Sequence, residues 1–431
     1  MPADQSRWFR MTGLNSSRTT LLKTVVGQYG IWAANLLIPL AISPYIARVL
    51  GPAGVGLYGF CQAVAGYPLL VIEYGFVMSG TRAIAETSDS RRISAIFSRV
   101  TASKLLLAGI AVVFTLVSGL WIEDFQQSPT LLFLVVGIAV ANGFHPEWYF
   151  RGRERLLKAA AVTAIVKLLT IPAILVWVRQ PSDMVTLMMI QTVASVITTA
   201  VLLIMSGELK AFYWPSGKDL FLTLKEGGWL FLMTVSQTIT GIFTPILLKS
   251  LTSMEAVGFY YIASRIQGPF WVLLSPLIIA IFPRMVSRIG SDPLNGTKLA
   301  LRVSLATTGL ACLAAMFLGI FAEQLILIFA GRGYEPAITT LRVLALLIPF
   351  IAGNTAIGNL MVVPHRQEKL MLPITLVCGL VVVGSALFLV PQQGHSGMAI
   401  ALVIGEATKL VMSCLLARSS YLKLLPNQGK P

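Results

Sequence analysis

The sequence contains few charged residues. Asp, Glu, Lys and Arg make up 12% of its 431 residues, whereas hydrophobic residues make up 56%. Soluble domains carry about 25% charged residues, so this chain lacks the polar surface that a soluble fold needs. Apolar runs of about 18 residues or more recur along its whole length, and each is long enough to cross a bilayer as a helix. The composition therefore predicts an all-α polytopic membrane protein.

Residues for metal, redox and nucleotide chemistry are also scarce. The four cysteines and three histidines are far apart in the sequence, and no Cys-x-x-Cys occurs. Each cysteine lies inside an apolar segment, which is typical of buried packing residues. The stretch 290–298 has one residue too many between its glycines for a phosphate-binding loop, and its Lys follows the Thr. We therefore predict no metal site, no cofactor and no enzymatic activity.

Positive charge exceeds negative charge by 15, and its distribution indicates what the protein contacts. All but seven of the 33 Lys and Arg residues lie in alternate polar segments; the seven are Arg48, Arg179, Lys249, Arg265, Arg332, Arg342 and Lys409. This alternation is the positive-inside pattern of a membrane protein. A nucleic-acid-binding protein would instead gather basic residues on one soluble face. The pattern predicts contact with a lipid bilayer and not with nucleic acid, and it predicts that both termini are cytoplasmic.

Twelve apolar segments are predicted to span the membrane. They are residues 25–49, 55–79, 97–120, 130–150, 159–178, 184–205, 229–251, 257–282, 299–321, 337–363, 371–390 and 397–417. The longest polar connection between them lies near the middle of the chain and is cytoplasmic in this topology. It predicts an N-terminal six-helix lobe at 1–209, a linker at 210–226 and a C-terminal six-helix lobe at 227–431.

Short motifs recur in the two halves of the chain. Val55-Gly-Leu-Tyr58 returns as Val257-Gly-Phe-Tyr260, and Arg153-Glu-Arg-Leu156 resembles Gln367-Glu-Lys-Leu370. Each copy holds the same position relative to its own spans, which indicates a parallel repeat with a substrate cavity between the two lobes. The first motif follows Gly51 and Pro52, which predict the tight link of a helical hairpin.

Polar side chains inside spans indicate which helix faces meet protein or water, because lipid cannot satisfy them. Spans one, four, seven and ten carry amides or hydroxyls at helical spacing, in matching positions of the two lobes. The candidate substrate-binding residues from these spans are Gln28, Asn35, Asn142, Tyr149, Gln237, Asn354 and Asn359. Two interpretations stay open: hydrogen bonds between helices, or a water-filled central cavity, which the set as a whole favours.

Charged residues inside spans are rarer, since each costs about 2.5–3.5 kcal/mol at a helix centre. Arg265 lies well inside span eight and is a candidate substrate-binding residue. Arg48, at the outer end of span one, is a second candidate, with an interfacial anchor as the alternative. Glu73 and Glu147 are candidates either for coupling to a proton or for pairing with a basic loop residue.

An ordered series of motifs resembles one known family. The motifs are Pro44-Tyr-Ile-Ala-Arg-Val-Leu-Gly51, Gly54-Val-Gly-Leu-Tyr-Gly59, Glu73-Tyr-Gly-Phe76, Arg82-Ala-Ile-Ala85, Pro146-Glu-Trp-Tyr-Phe-Arg-Gly-Arg-Glu154, Val257-Gly-Phe-Tyr-Tyr-Ile-Ala263 and Phe282-Pro-Arg284. Together they resemble the polysaccharide transporter family, the Wzx-type O-antigen flippases of the multidrug/oligosaccharidyl-lipid/polysaccharide exporter superfamily. The similarity extends over nearly the whole chain.

The resemblance implies two six-helix bundles in a V shape around a cationic central cavity, in the cell inner membrane. It implies flipping of an undecaprenyl-diphosphate-linked oligosaccharide, such as an O-antigen repeat unit of lipopolysaccharide, towards the periplasm. A coupling ion (proton or sodium) and a polysaccharide polymerase are the further partners that this function suggests. Only Arg48 and Arg265 carry over from the family as substrate-binding residues.

The chemistry of this substrate agrees with the residues. Arg side chains offset the cost of moving a dianionic diphosphate out of bulk water, and the polyprenyl tail stays in lipid. Three alternatives agree less well with the residues. A multidrug cation antiporter of the same superfamily would place acidic residues deep in its lobes, a membrane-embedded polysaccharide polymerase would carry a large outer loop, and a structural scaffold would leave the polar stripes unexplained.

Overall fold

The computed structural model describes residues 18–422, without the side chains of 18–35, 239–240, 273–277, 279–280, 368, 420 and 422. All regular elements in this range are helical, which confirms the predicted all-α class. Helices suit a lipid environment because they satisfy every backbone hydrogen bond within one segment. The predicted substrate-binding side chains of Gln28 and Asn35 lie outside the described residues.

Fifteen α-helices occur in the described range. In the first half they are α1 (Arg18–Glu73), α2 (Phe76–Ala85), α3 (Ser90–Gly119), α4 (Glu123–Gln127), α5 (Pro129–Gly143), α6 (Glu147–Gly152), α7 (Leu156–Trp177) and α8 (Met184–Ser206). In the second half they are α9 (Gly217–Leu251), α10 (Met254–Ser291), α11 (Pro293–Ile320), α12 (Ala322–Phe329), α13 (Pro336–Ala345), α14 (Leu347–Ile357) and α15 (Met371–Leu422). A π-helix, Gly358–Val362, directly follows α14.

The longest helices are interrupted by single glycines. The 56-residue α1 leaves the helical path at Gly51 (φ 68°), and the 52-residue α15 leaves it at Gly394 (φ 57°). Glycine accepts these positive φ angles without the clash that a Cβ would cause. The break in α1 lies at the predicted hairpin link. Each of these helices has the length of two spans, since one span needs about 20 residues.

Eight helices of the described chain are long and apolar enough to cross a membrane, or nine if the bent helix α9 counts as one. This finding supports a multi-pass membrane protein. The total of twelve spans stays a prediction. Many large apolar side chains on these helices are exposed, as in Leu380 (73%) and Phe114 (71%), which is the arrangement expected where lipid replaces water as the solvent.

The first compact unit groups the described residues of Met1–Ile42, Ala65–Arg179 and Val185–Leu232. Its core is an aromatic cluster in which Phe97 and Trp148 stack with ring centroids 5.8 Å apart. Helix α2 approaches α6 closely because Gly80 faces the Trp148 ring; a Cβ at Gly80 would lie 2.7 Å from that ring. The Thr81 hydroxyl also contacts the Trp148 carbonyl at 3.1 Å. These contacts fix α2 and α6 against each other.

The second compact unit groups the described residues of Ser43–Val64, Gln180–Met184 and Met233–Pro431. Its core includes a cluster among α9, α10 and α15, with buried residues such as Leu248, Val257 and Met398. The segment Ser43–Val64 belongs to this unit because it packs on α10. This grouping follows contacts in space, whereas the predicted lobes follow chain order, so the lobe boundaries at 209 and 227 stay a prediction.

Candidate functional site

A polar cavity of about 300 Å³ lies inside the first unit, among α1, α5, α6, α7 and α8. Its polar lining consists of Glu73, Asn142, His145, Glu147, Thr163, Lys167, Thr170, Gln191, Ser195 and Thr198. Three of the residues predicted from the sequence, Glu73, Asn142 and Glu147, therefore meet at one site. The cavity combines amides, hydroxyls, carboxylates and an ammonium group, so it can hydrogen-bond a polar guest in a membrane protein.

A break in span four shapes this cavity. Helix α5 ends at Gly143 and α6 begins at Glu147, with His145 and Pro146 between them. Proline lacks a backbone N–H and cannot continue the helix before it. The short connection brings His145 and Glu147 to the cavity.

The same break separates Tyr149 from the cavity. The sequence pattern Asn142, His145, Tyr149 assumed one continuous helix, but the helical phase is lost after Gly143. Tyr149 is instead 5% exposed within the aromatic cluster, and its hydroxyl contacts a Glu208 carboxylate oxygen at 3.0 Å. The structure therefore brings Asn142 and His145 together but not Tyr149.

Lys104 adjoins this cavity, although the charge pattern of the sequence predicted a cytoplasmic position for it. It is 3% exposed, and its Nζ donates a hydrogen bond of 2.7 Å to the Gly143 carbonyl. That carbonyl lies at the end of α5, where the last turn leaves carbonyls without helical partners. The sequence feature that could have indicated this burial is the position of Lys104 within the apolar run 97–120.

Arg265 lies on α10 in the second unit, beside two tyrosines. Its guanidinium donates a 2.6 Å hydrogen bond to the Tyr261 hydroxyl and lies 4.8 Å from the centre of the Tyr261 ring. The Tyr58 ring meets Tyr261 edge-on, with centroids 5.8 Å apart. Among the described residues, no carboxylate forms an ion pair with Arg265. Arg265 therefore interacts with aromatic and hydroxyl groups, and its predicted role in substrate binding stays a prediction.

Arg48 has a different environment. Its guanidinium is exposed and donates a 2.7 Å hydrogen bond to the Ile328 carbonyl, in the last turn of α12. A cation at a helix C-terminus is stabilised by the helix dipole. Nearby, the Tyr334 hydroxyl donates to the Ala47 carbonyl at 3.0 Å. Arg48 thus has a structural contact, and its predicted role in substrate binding stays a prediction.

The repeated glycines of the two halves meet directly within the second unit. A Cβ at Gly56 would overlap the Met254 carbonyl oxygen, and a Cβ at Gly258 would overlap the Pro52 carbonyl oxygen. Each glycine therefore faces the backbone four residues before the other glycine. This reciprocal contact explains why Val-Gly-x-Tyr occurs in both copies of the repeat, since only glycine allows two backbones to approach this closely.

The remaining predicted residues lie elsewhere in the second unit. Asn354 is 5% exposed and donates to a Glu406 carboxylate oxygen at 2.7 Å, and Glu406 also pairs with Lys409 at 3.9 Å. Asn359 is half-buried in the π-helix, and Gln237 is exposed. The hydrogen bond of Asn354 joins α14 to α15, which is one of the two interpretations that the sequence left open.

Comparison with known proteins identifies the family of the chain. A family model described as "Polysaccharide biosynthesis protein" matches residues 30–288. A protein of Escherichia coli (strain K12) named "Putative O-antigen transporter" is 26% identical over 418 residues, covering 95% of this chain and 99% of that protein. A relative of the same name from Shigella dysenteriae is 25% identical over 390 residues, covering 89% of this chain and 96% of that protein.

Solved structures share the fold. An inward-facing multidrug resistance transporter of the MATE family, in the MOP superfamily, matches with a TM-score of 0.69 at 18% identity, covering 94% of this chain and all of that one. The lipid II flippase MurJ in an inward closed conformation matches with a TM-score of 0.69 at 12% identity, covering 93% of this chain and 89% of that one. These likenesses show the fold alone. The chain belongs to the polysaccharide biosynthesis protein family and has the fold of MOP-superfamily transporters.

Proposed function

We propose that the protein is a flippase for an undecaprenyl-diphosphate-linked oligosaccharide, an O-antigen repeat unit or a similar surface-polysaccharide unit. It moves the sugar-diphosphate head from the cytoplasmic to the periplasmic leaflet by alternating access. The observation that carries this proposal is the environment of Arg265. Its guanidinium bonds the Tyr261 hydroxyl, and no carboxylate among the described residues pairs with it. A diphosphate supplies the missing negative charge, and a guanidinium binds two phosphate oxygens at once.

The cavity of the first unit supports the sugar half of the proposal. Asn142, Gln191, Ser195 and Thr198 present amides and hydroxyls there, and these groups can exchange hydrogen bonds with sugar hydroxyls. The polyprenyl tail needs no such site because it remains in lipid. Gln28, Asn35, Tyr149, Gln237, Asn354 and Asn359 stay as weaker substrate-binding candidates.

In this proposal a gradient of protons or sodium ions supplies the energy. The alternative source is removal of the product by a polysaccharide polymerase. The chain carries no phosphate-binding loop for ATP. The two lobes, 1–209 and 227–431, would alternate access, with both termini cytoplasmic. Reporter fusions after Lys225 and after Ser420 should both score as cytoplasmic, and a periplasmic result at either would contradict this topology.

A multidrug cation antiporter is the second candidate, because Glu73 and Glu147 line the cavity. The same cavity also contains Lys167, and Lys104 adjoins it. These ammonium groups repel a cationic drug. Two lysines against two glutamates leave the cavity without the net negative charge that a cation site needs, so it favours a polar guest over a cation.

Depletion of the protein from its host cell tests the proposal. Surface polysaccharide should be lost while the lipid-linked unit accumulates, because synthesis in the cytoplasmic leaflet continues without export. Re-expression of the chain should reverse both effects. Normal surface polysaccharide with new sensitivity to cationic drugs would instead support the antiporter.

A further inference from the structure

Two helix breaks meet beside the cavity of the first unit. Helix α1 ends at Glu73 and is followed by two residues with positive φ, Tyr74 (φ 40°) and Gly75 (φ 75°). Helix α5 ends at Gly143. A Cβ at Gly143 would lie only 2.6 Å from the Ile72 side chain, so the end of α5 packs directly on the end of α1. A positive φ at a non-glycine residue is strained, which marks this junction as one held by its surroundings.

Glu73 is the acid at this junction without a close partner. Its carboxylate lines the cavity and forms no hydrogen bond or ion pair with another described residue. Glu147 differs, since Arg151 pairs with it one helical turn away. A half-buried carboxylate without hydrogen bonds is costly in its charged form, and binding a proton removes that cost.

Lys104 links the two breaks. Its ammonium group donates a hydrogen bond to the Gly143 carbonyl at one break, and Gly143 packs on Ile72, the residue next to Glu73 at the other break. An ammonium has three donors, so the bond to Gly143 leaves donors for a second acceptor. A lysine that is 3% exposed in a membrane helix is expensive unless an opposite charge compensates it. Glu73 supplies that charge.

We propose that Glu73 is the proton-binding site of this protein and that Lys104 is its resident counter-cation. A proton moves from water in the cavity to a Glu73 carboxylate oxygen, which changes the charge of that group from −1 to 0. The attraction to Lys104 then ceases, and Lys104 retains its bond to Gly143. The contact between the two breaks is thereby weakened. Because the breaks set the directions of α2 and α6, these two helices can then change direction.

Charged and titratable groups surround Glu73 on several elements. These groups are Lys104 from α3, His145 from the break, Glu147 from α6 and Lys167 from α7, and Arg151 pairs with Glu147. Helix α8 presents only the uncharged Gln191, Ser195 and Thr198. Helix α9 presents Gly227, Leu230 and Phe231 to the turn after Glu73. Proton binding at Glu73 is therefore a property of the whole cluster.

Infrared difference spectroscopy of the full chain in liposomes, between alkaline buffer and buffer at about pH 6, tests this proposal with protons as the only probe, because exposed carboxylates stay charged above about pH 5. Acidification should produce the carbonyl band of a protonated carboxylic acid. The band should disappear in Glu73→Gln and persist in Glu86→Gln, a control at an exposed acid near the end of α2. In Lys104→Met the pH at which the band appears should rise by about 1–3 units, because the counter-cation is lost. The exposed control Lys158→Met should leave it unchanged.

Accumulation of the variants gives an independent measure. Lys104→Met leaves Glu73 uncompensated and should lower the amount of inserted protein, and the double variant Glu73→Gln/Lys104→Met should restore it. A band that survives in Glu73→Gln, or a double variant that accumulates no better than Lys104→Met, would overturn the proposal. Use of the proton for transport rests on the proposed flippase function, whereas the spectrum contains no substrate. Failure of one is therefore distinguishable from failure of the other.

Discussion

Replacing Arg265 by alanine is expected to lower surface-polysaccharide export by about 10- to 100-fold, because a charge-assisted hydrogen bond contributes about 1.5–3 kcal/mol. The protein should still insert at normal levels, since no described carboxylate would be left unpaired by the substitution. Arg265→Lys should retain part of the export. It preserves the charge, but an ammonium acts as a point charge and cannot bind two phosphate oxygens in the same way. Export and membrane abundance are measured in the same cells.

Two control variants make this result specific. Arg288→Ala removes an exposed arginine from the same helix and should leave export unchanged. Arg48→Ala should have a milder effect than Arg265→Ala, because the Arg48 guanidinium is exposed and already bonds the Ile328 carbonyl. Normal export by a stably inserted Arg265→Ala variant would remove Arg265 from the substrate site.

The second large effect is expected at the glycine contact between the repeats. Gly258→Ala places a methyl group against the Pro52 carbonyl oxygen, and Gly56→Ala places one against the Met254 carbonyl oxygen. A backbone atom cannot rotate away as a side chain can, so the two helices must separate. Overpacking of this kind costs about 1–3 kcal/mol. Thermal unfolding of the purified protein in detergent should show a clear loss of stability for either variant.

Gly268→Ala is the matched control for this test. It lies on α10 like Gly258, but a Cβ there would meet no atom within 4 Å. In a helix interior, alanine is favoured over glycine by up to about 1 kcal/mol, so this variant should be at least as stable as the parent protein. Equal stability of Gly258→Ala and Gly268→Ala would mean that the two backbones are not in close contact.

The sequence predicted the architecture well where a pattern reflects a physical requirement of the whole chain. Low charge and long apolar runs predicted the helical membrane class. Gly51 beside Pro52 predicted a break in the first long helix, and the break is present. The recurring Val-Gly-x-Tyr motif indicated a repeat, and its two glycines are found in reciprocal contact. Each of these signals depends on residue type and spacing alone.

The candidate site was harder to predict because it depends on contacts between distant segments. Tyr149 was grouped with Asn142 by helical spacing, and the break at Gly143 removed that relation. Lys104 was assigned to a cytoplasmic segment, although it is buried and bonds a helix end 39 residues away. For Asn354 the sequence left both a cavity and a hydrogen bond between helices open, and its amide bonds Glu406 on another helix. One-dimensional spacing cannot indicate which helix supplies the partner.

Flipping of a purified lipid-linked substrate by the purified protein tests the central claim most directly. The protein is reconstituted into vesicles with an undecaprenyl-diphosphate-linked oligosaccharide, and the fraction of sugar accessible from the opposite side is measured over time. We expect transfer without ATP, faster under an imposed proton or sodium gradient, and much slower with Arg265→Ala than with Arg288→Ala. Transfer no faster than in protein-free vesicles under any gradient, or a strict requirement for ATP, would contradict the account.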